Sequence, residues 1–531
     1  MHAAIRPLTL TMVAIYLLAT LAVGYLFRGS AEASAQFLHA RRTLPTAITA
    51  IAFLAANCGA LEILGLVAAS AKYGMLALHF YWIGAIPAML FLALFMMPIY
   101  AESRALTVPE FLRLRYDEKT QILNMIALAL MMGFVSGVSL YAISTVLGVF
   151  LGWTFPQTVL LTSAVVFCYV SAGGLKATIY NEVLQLAITI LGLAPLAYST
   201  LRQFHGLRGI AAKLPPGMTH VWSGVPLMAH ATATMDVFGI VFGLGVVLSF
   251  GYWCTDFLLI QRALAARNVE GSIQTPLIAA AVKMFFPVLV VVPGLAAAAL
   301  FRKGIPGGFD HALPALMLRE YGPWLLGLGI SAILASLMSG LAGNINALTT
   351  IWTHDLYRTY LRPHQPDAHY VLVGRLSTVG ATVFSMATAY VAFRYSSLMD
   401  YLTLLFSFFN APIFATFLLG MFTTWATPTA AFWGLICGML AALAHNLAFD
   451  FQWIAYGSQM TANFYGAIIG FVTCIAVTIA VSGFTSPKPL AELGGVTYQT
   501  RRSATRPIAR QTWVFAGILL AVCVLLNFLF R

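Results

Sequence analysis

The chain has 531 residues, of which 60% are hydrophobic and only 9% are Asp, Glu, Lys or Arg. A soluble domain carries about a quarter charged residues, so this composition excludes a soluble enzyme, a nucleic-acid-binding domain and a secreted disulfide scaffold. The formal charge of +12 reads as topology marking by Lys and Arg at the ends of membrane spans, not as attraction to nucleic acid.

Apolar blocks long enough to cross a bilayer, which takes roughly 20 residues, recur about fourteen times. They lie near 8–28, 45–71, 74–101, 121–151, 155–172, 177–201, 236–261, 275–301, 321–356, 370–393, 400–422, 427–446, 461–483 and 512–530. The first follows only His2 and Arg6 and lacks a small-residue cleavage pattern after it, so it reads as a retained span. In the second block, Ala55-Ala56-Asn57-Cys58-Gly59-Ala60 sets an amide and a glycine among small residues. Two readings fit that composition. The segment unwinds and turns its carbonyls toward a cavity or an ion, or it packs tightly through Gly and Ala. Residues 102–120 mix charge with an apolar face after Pro109 and predict a short interfacial helix.

Further along, Ser331–Thr350 is rich in small and hydroxyl residues, and Ser336 and Ser339, three apart, share a helix face. Their hydroxyls either complete an oxygen cage with the broken segment or back-bond to their own helix. The run 364–369 (HQPDAH) has metal-ligand residue types but reads as a solvated loop after Pro363. Residues 485–511 are polar and basic, a linker able to touch anionic lipid. All six cysteines lie in apolar blocks without paired or CxxC spacing, so disulfide and zinc frameworks are not expected.

An even number of spans puts both termini on one side. Counting Lys and Arg in alternate loops, the set that includes Arg104, Arg113, Arg115, Lys119, Lys488 and Arg510 outweighs the other by nearly two to one. That set is expected to be cytoplasmic, with both termini outside, in a plasma or inner membrane. Lys283 belongs to neither set. With Glu62, Glu182 and Asp256 it is an ionisable residue inside an apolar block, where charge is costly and serves a structural pair or a functional site. His79 reads as a core or interfacial histidine.

Seven segments in order resemble the sodium:solute symporter family, most closely its sodium/glucose and sodium/galactose branch. They are FLHARRTLP (37–45), AANCGALEILG (55–65), LTVPEFLRLRY (106–116), YVSAGGLKATIYNEVLQ (169–185), YWCTDFLLIQRALAA (252–266), NALTTIWTHDLY (346–357) and FLLGMF (417–422). The resemblance implies an all-α polytopic fold whose core is two inverted five-helix repeats, each with a broken first helix. On this chain the implied segments are an extra span and cytoplasmic loop at 1–44, the first repeat at 45–202 and an extracellular loop at 203–235. The second repeat is at 236–424, and three C-terminal spans follow at 425–531.

The resemblance also implies a sodium site at Ala55, Cys58, Ser336, Ser339 and Gly340, where many members carry Ser or Thr in place of Gly340. Substrate positions are implied at Asn57, Glu62, Tyr81, Ser249, Tyr252, Lys283 and Thr403, with Trp253 adding apolar area beside Tyr252. Asn57, Tyr252 and Lys283 keep the residue types of a galactose symporter. Glu62 replaces an amide, Tyr81 replaces a carboxylate, and Ser249 and Thr403 are shorter than the amides expected. Glu182 matches an acidic position on the cation path, and Asp256 and Arg262 sit in a structural signature.

The expected function is sodium-coupled symport of a small polar solute, a sugar or polyol, by alternating access. A proton-coupled or uncoupled carrier, an organic-anion carrier and a transporter-like sensor are the alternatives, the last disfavoured because no soluble domain is appended. Sodium is the expected ion and no organic cofactor is implied. The expected partners are the solute and the bilayer, with no obligate protein partner evident.

Overall fold

The computed structural model describes residues 7–27, 38, 43–103, 105–222, 225–229, 234–395, 397–500 and 508–531. Most of the segment 37–45 and the predicted loop cations Arg6, Arg28, Arg41, Arg42, Arg104, Arg501, Arg502 and Arg506 lie outside the described residues. Among the described residues every regular element is a helix.

Among the described residues, twelve helices are long and apolar enough to cross a membrane, and a bent pair, Gly239–Thr255 and Phe257–Leu264, turned by 50°, makes a thirteenth span. The blocks at 155–172 and 177–201, read from the sequence as two spans, are two helices that meet at a kink within one run, Phe155–Gln203, of 49 residues. At about 1.5 Å per residue that run is more than twice the roughly 30 Å apolar thickness of a bilayer. It changes direction at Gly174, whose φ of 57° and ψ of −150° suit a residue without Cβ. Counted as two spans about that kink, the tally returns to fourteen.

The first predicted break is present. Helix Thr46–Asn57 stops at Cys58, and the chain resumes through a widened i→i+5 stretch, Leu61–Gly65, and helix Leu66–Tyr73. The second break falls at Asp256. Its carboxylate accepts from the Leu258 N–H at 2.9 Å and so caps the short helix Phe257–Leu264. Arg262 donates from Nη1 to the Leu258 carbonyl at 2.9 Å. Asp256 therefore caps backbone at the bend, and Arg262 bonds back to the first turn of the same short helix.

The surface shows which solvent the fold expects. Helix Pro7–Leu26 buries Thr9, Tyr16, Thr20 and Gly24 and leaves Ile15, Leu18 and Leu26 exposed. Small and polar groups inside with leucines outside is the inverse of a soluble helix, and it suits lipid.

The chain divides into two compact units, Met1–Leu78 with Met132–Ser223 and Val282–Leu402, and His79–Met131 with Gly224–Ala281 and Thr403–Arg531. In the first, helix Phe155–Gln203 packs on Pro7–Leu26 and on Pro323–Thr350. Thr189 donates to the Ala332 carbonyl at 3.2 Å, Tyr169 to Met338 at 3.3 Å and Tyr321 to Gly192 at 2.6 Å. Such bonds satisfy hydroxyls that lipid cannot. In the second, Pro428–Asp450 pairs with Gln459–Ser482. A short helix within the predicted stretch 102–120 is present there as Val108–Arg115, with Thr107 accepting from the Glu110 N–H at 3.1 Å and Glu110 accepting from the Leu106 N–H at 2.7 Å.

Candidate solute and cation sites

The break at Cys58 follows from local sequence. Asn57 and Gly59, both weak helix formers, follow one another closely there, and Gly59 carries no Cβ. The Cys58 N–H bonds to the Leu54 and Ala55 carbonyls, and the Gly59 N–H bends back to Asn57 at 2.7 Å. Carbonyls of this turn then face helix Pro323–Thr350. Ser339 donates to the Ala55 carbonyl at 3.1 Å and Ser336 donates to the Cys58 carbonyl. Neither serine needs its own helix as acceptor, whereas Ser331, on the same helix, back-bonds to Gly327 at 2.8 Å. Of the two readings the sequence left open for these serines, the cross-helix one describes the structure.

Gly340 is part of this crossing. A Cβ built on it meets the Gly59 Cα at 3.1 Å, tighter than side chains normally tolerate. The residue that departs from the common Ser or Thr is therefore the one that lets the two backbones touch. Its missing hydroxyl leaves four oxygens, from Ala55, Cys58, Ser336 and Ser339. All are uncharged and hard, a donor set suited to a monovalent cation.

On the other flank of the break, Lys283 Nζ stands 2.8 Å from Glu62 Oε2, with side-chain exposures of 1% and 3%, and donates to the Asn57 side-chain oxygen. The ammonium also lies 5.2 Å from the centroid of the Phe286 ring, a cation–π distance. Residues 57 and 62 therefore converge on one cation from either side of the interruption. Sequence reasoning found Asn57, Glu62 and Lys283 but missed Phe286, for which nothing in the sequence gave a signal.

Glu182 is fully buried on helix Phe155–Gln203. Its neighbour Asn181 donates to the Thr20 carbonyl at 3.3 Å, and Gln185 donates to the Tyr16 hydroxyl at 3.4 Å. His79 is buried, consistent with a core histidine. The run 364–369 is not all loop, because helix Asp367–Ala392 starts inside it and His369 bonds the Tyr357 hydroxyl at 3.0 Å.

The remaining predicted substrate positions lie in the second unit. Tyr252 has its ring 5.0 Å from Phe406 and 5.4 Å, edge-on, from Trp253. Ser249 sits against Gly84, where an added Cβ would meet its hydroxyl at 2.4 Å. Thr403 accepts from the Asn463 amide at 2.8 Å, and Tyr81 is buried. Phe406 and Asn463 were not foreseen, since their partners are remote in sequence.

Spans in this number, a helix interrupted in mid-course with hydroxyls against its freed carbonyls, and a buried ion pair beside it define a secondary membrane transporter of the broken-helix type. The family description for sodium:solute symporters matches residues 37–438, and the chain belongs to that family. It is accordingly a multi-pass sodium-coupled solute symporter and not an enzyme. It is 27% identical to "Sodium/glucose cotransporter 1" of Ovis aries, over 91% of this chain and 79% of that one. It is 28% identical to "Sodium/myo-inositol cotransporter 2" of Oryctolagus cuniculus, over 87% and 74%. The solved structure of the substrate-bound, outward-open state of a Na+-coupled sialic acid symporter superposes with a TM-score of 0.78. It covers 90% of this chain and 98% of that one at 17% identity, which shows a shared fold.

Proposed function

We propose that the protein carries a neutral, polyhydroxylated solute, a sugar or polyol, together with sodium across a plasma or inner membrane with both termini outside. The observation that carries the reading is the meeting of Ser336 and Ser339 with the Cys58 and Ala55 carbonyls beside Asn57. Sodium is held by those four oxygens, and Gly340 contributes no side chain. With sodium bound, the two hydroxyls turn their hydrogens away and all four oxygens turn lone pairs to one cation, so the ion ties the interrupted helix to Pro323–Thr350. Glu182 belongs to the ion's path.

In the first unit, Asn57, Glu62 and Lys283 combine donors and acceptors able to bind solute hydroxyls. In the second, Tyr252, backed by Trp253 and Phe406, offers an aromatic face to a sugar ring, and Tyr81, Ser249 and Thr403 offer hydroxyls. A sodium gradient drives such a cycle because the ion binds one state more tightly than the other. The relatives named for glucose and myo-inositol support the solute class, and the charge count of alternate loops supports the orientation.

Purified protein in proteoliposomes tests this. Uptake of labelled galactose, glucose or myo-inositol should require an imposed inward sodium gradient. Uptake indifferent to sodium and driven by a pH gradient would overturn the proposal.

A further inference from the structure

We infer that Glu62 sets the charge selectivity of the solute site, holding Lys283 so that neutral solutes are accepted and carboxylate-bearing ones, such as sugar acids, are refused. The inference rests on the reading of Asn57 and Lys283 as solute contacts and concerns which solutes they admit.

Lys283 is the cation that the sequence places within an apolar block, the other Lys and Arg residues being assigned to loops. Left alone, a buried ammonium would attract a solute carboxylate strongly. It is not left alone. Glu62 Oε2 lies 2.8 Å away, both side chains are almost wholly buried, Asn57 accepts a second N–H, and Phe286 covers the cation at 5.2 Å. The pair is therefore electrically neutral.

A solute carboxylate would have to displace Glu62, stranding a buried anion, or enter beside it and place two anions around one cation. Either outcome costs more than the new ion pair returns. A hydroxyl group faces no such conflict, since it donates to Glu62 or accepts from Lys283 while the pair stays intact. The geometry is local to this chain. Leu61–Gly65 runs in the widened helical form just past the break, and Glu62 is the acidic residue on that short stretch. An amide there would leave the ammonium with its full charge.

The test compares wild type and Glu62→Gln in proteoliposomes under a sodium gradient, with labelled galactose as the neutral probe and galacturonate as its carboxylate counterpart. Wild type should be inhibited by galacturonate at least about 100-fold more weakly than by unlabelled galactose, a differential of roughly 2.7 kcal/mol. In Glu62→Gln, galacturonate uptake should rise at least about 10-fold over wild type, and Glu62→Gln/Lys283→Gln should lose that gain.

Equal inhibition of wild type by the two sugars overturns the inference whether or not the variant folds. A folded, monodisperse Glu62→Gln protein that gains no galacturonate uptake or binding by thermal shift overturns it as well. Sodium-independent wild-type uptake of the neutral sugars would instead overturn the transport reading, and the thermal-shift comparison of galacturonate with galactose then still decides the selectivity.

Discussion

Replacing Lys283 by Met removes the ammonium and keeps most of the side-chain volume. It leaves the Glu62 carboxylate, 3% exposed, with no cation at 2.8 Å, and deprives Asn57 of a donor. Stranding one member of a buried ion pair costs about 3–5 kcal/mol, and an unmade hydrogen bond to a buried amide adds about 1 kcal/mol. Lys283→Met should therefore lower stability by about 4–6 kcal/mol. Glu62→Met, which strands the ammonium instead, should cost about 3–5 kcal/mol. Lys283→Met/Glu62→Met should recover most of the loss, because a buried pair replaced by apolar groups of similar volume is close to neutral. Denaturant unfolding of the four proteins in mild detergent completes a double-mutant cycle. Single substitutions that each cost under about 1 kcal/mol and simply add would refute the coupling. Sodium-driven uptake in the same proteins separates structure from transport: the double variant should fold but not carry solute, and a double variant that still transports would return both residues to a purely structural role.

Ser336→Ala and Ser339→Ala each delete one oxygen facing the broken helix, and sodium titrations of uptake should show half-saturation raised about 10-fold, or about 1.4 kcal/mol per hydroxyl; an unchanged sodium dependence would refute their role as ligands. Gly340→Ser presses a Cβ to 3.1 Å from the Gly59 Cα, and unfolding should report a loss of about 1–3 kcal/mol, whereas unaltered stability would show that the crossing yields. At the turn Phe309–His311, the buried Asp310 carboxylate accepts from the Leu398 N–H at 3.0 Å. Burial, with Asp400 adding to it, pushes its pKa up to about 6 from 3.8. The folded value lies above the unfolded one, so this carboxyl's contribution is complete below pH 4 and is lost as pH rises through about 6, by up to about 3 kcal/mol. Asp310→Asn should remove that slope and be more stable than wild type at pH 7, and parallel pH profiles for the two proteins would refute it.

The local properties of the chain were readable without coordinates. A span is specified by its own length and apolarity, since the bilayer exacts both from each segment separately, whereas the composition at 55–60 left an interruption and tight helix packing both open. The ordered segments from 37 to 422 likewise carried the family. The partnerships were not readable. Ser336 and Cys58 are 278 residues apart and Ser339 and Ala55 are 284, and a hydroxyl that back-bonds to its own helix has the same sequence as one that reaches across. Packing decided between them, by bringing Gly340 onto Gly59. It likewise gave Thr403 to Asn463, and it set the kink between the two predicted spans at Gly174. Hydropathy is a property of a segment and can be read along the chain. A hydrogen bond or ion pair between segments depends on where two backbones cross, and only the folded chain fixes that.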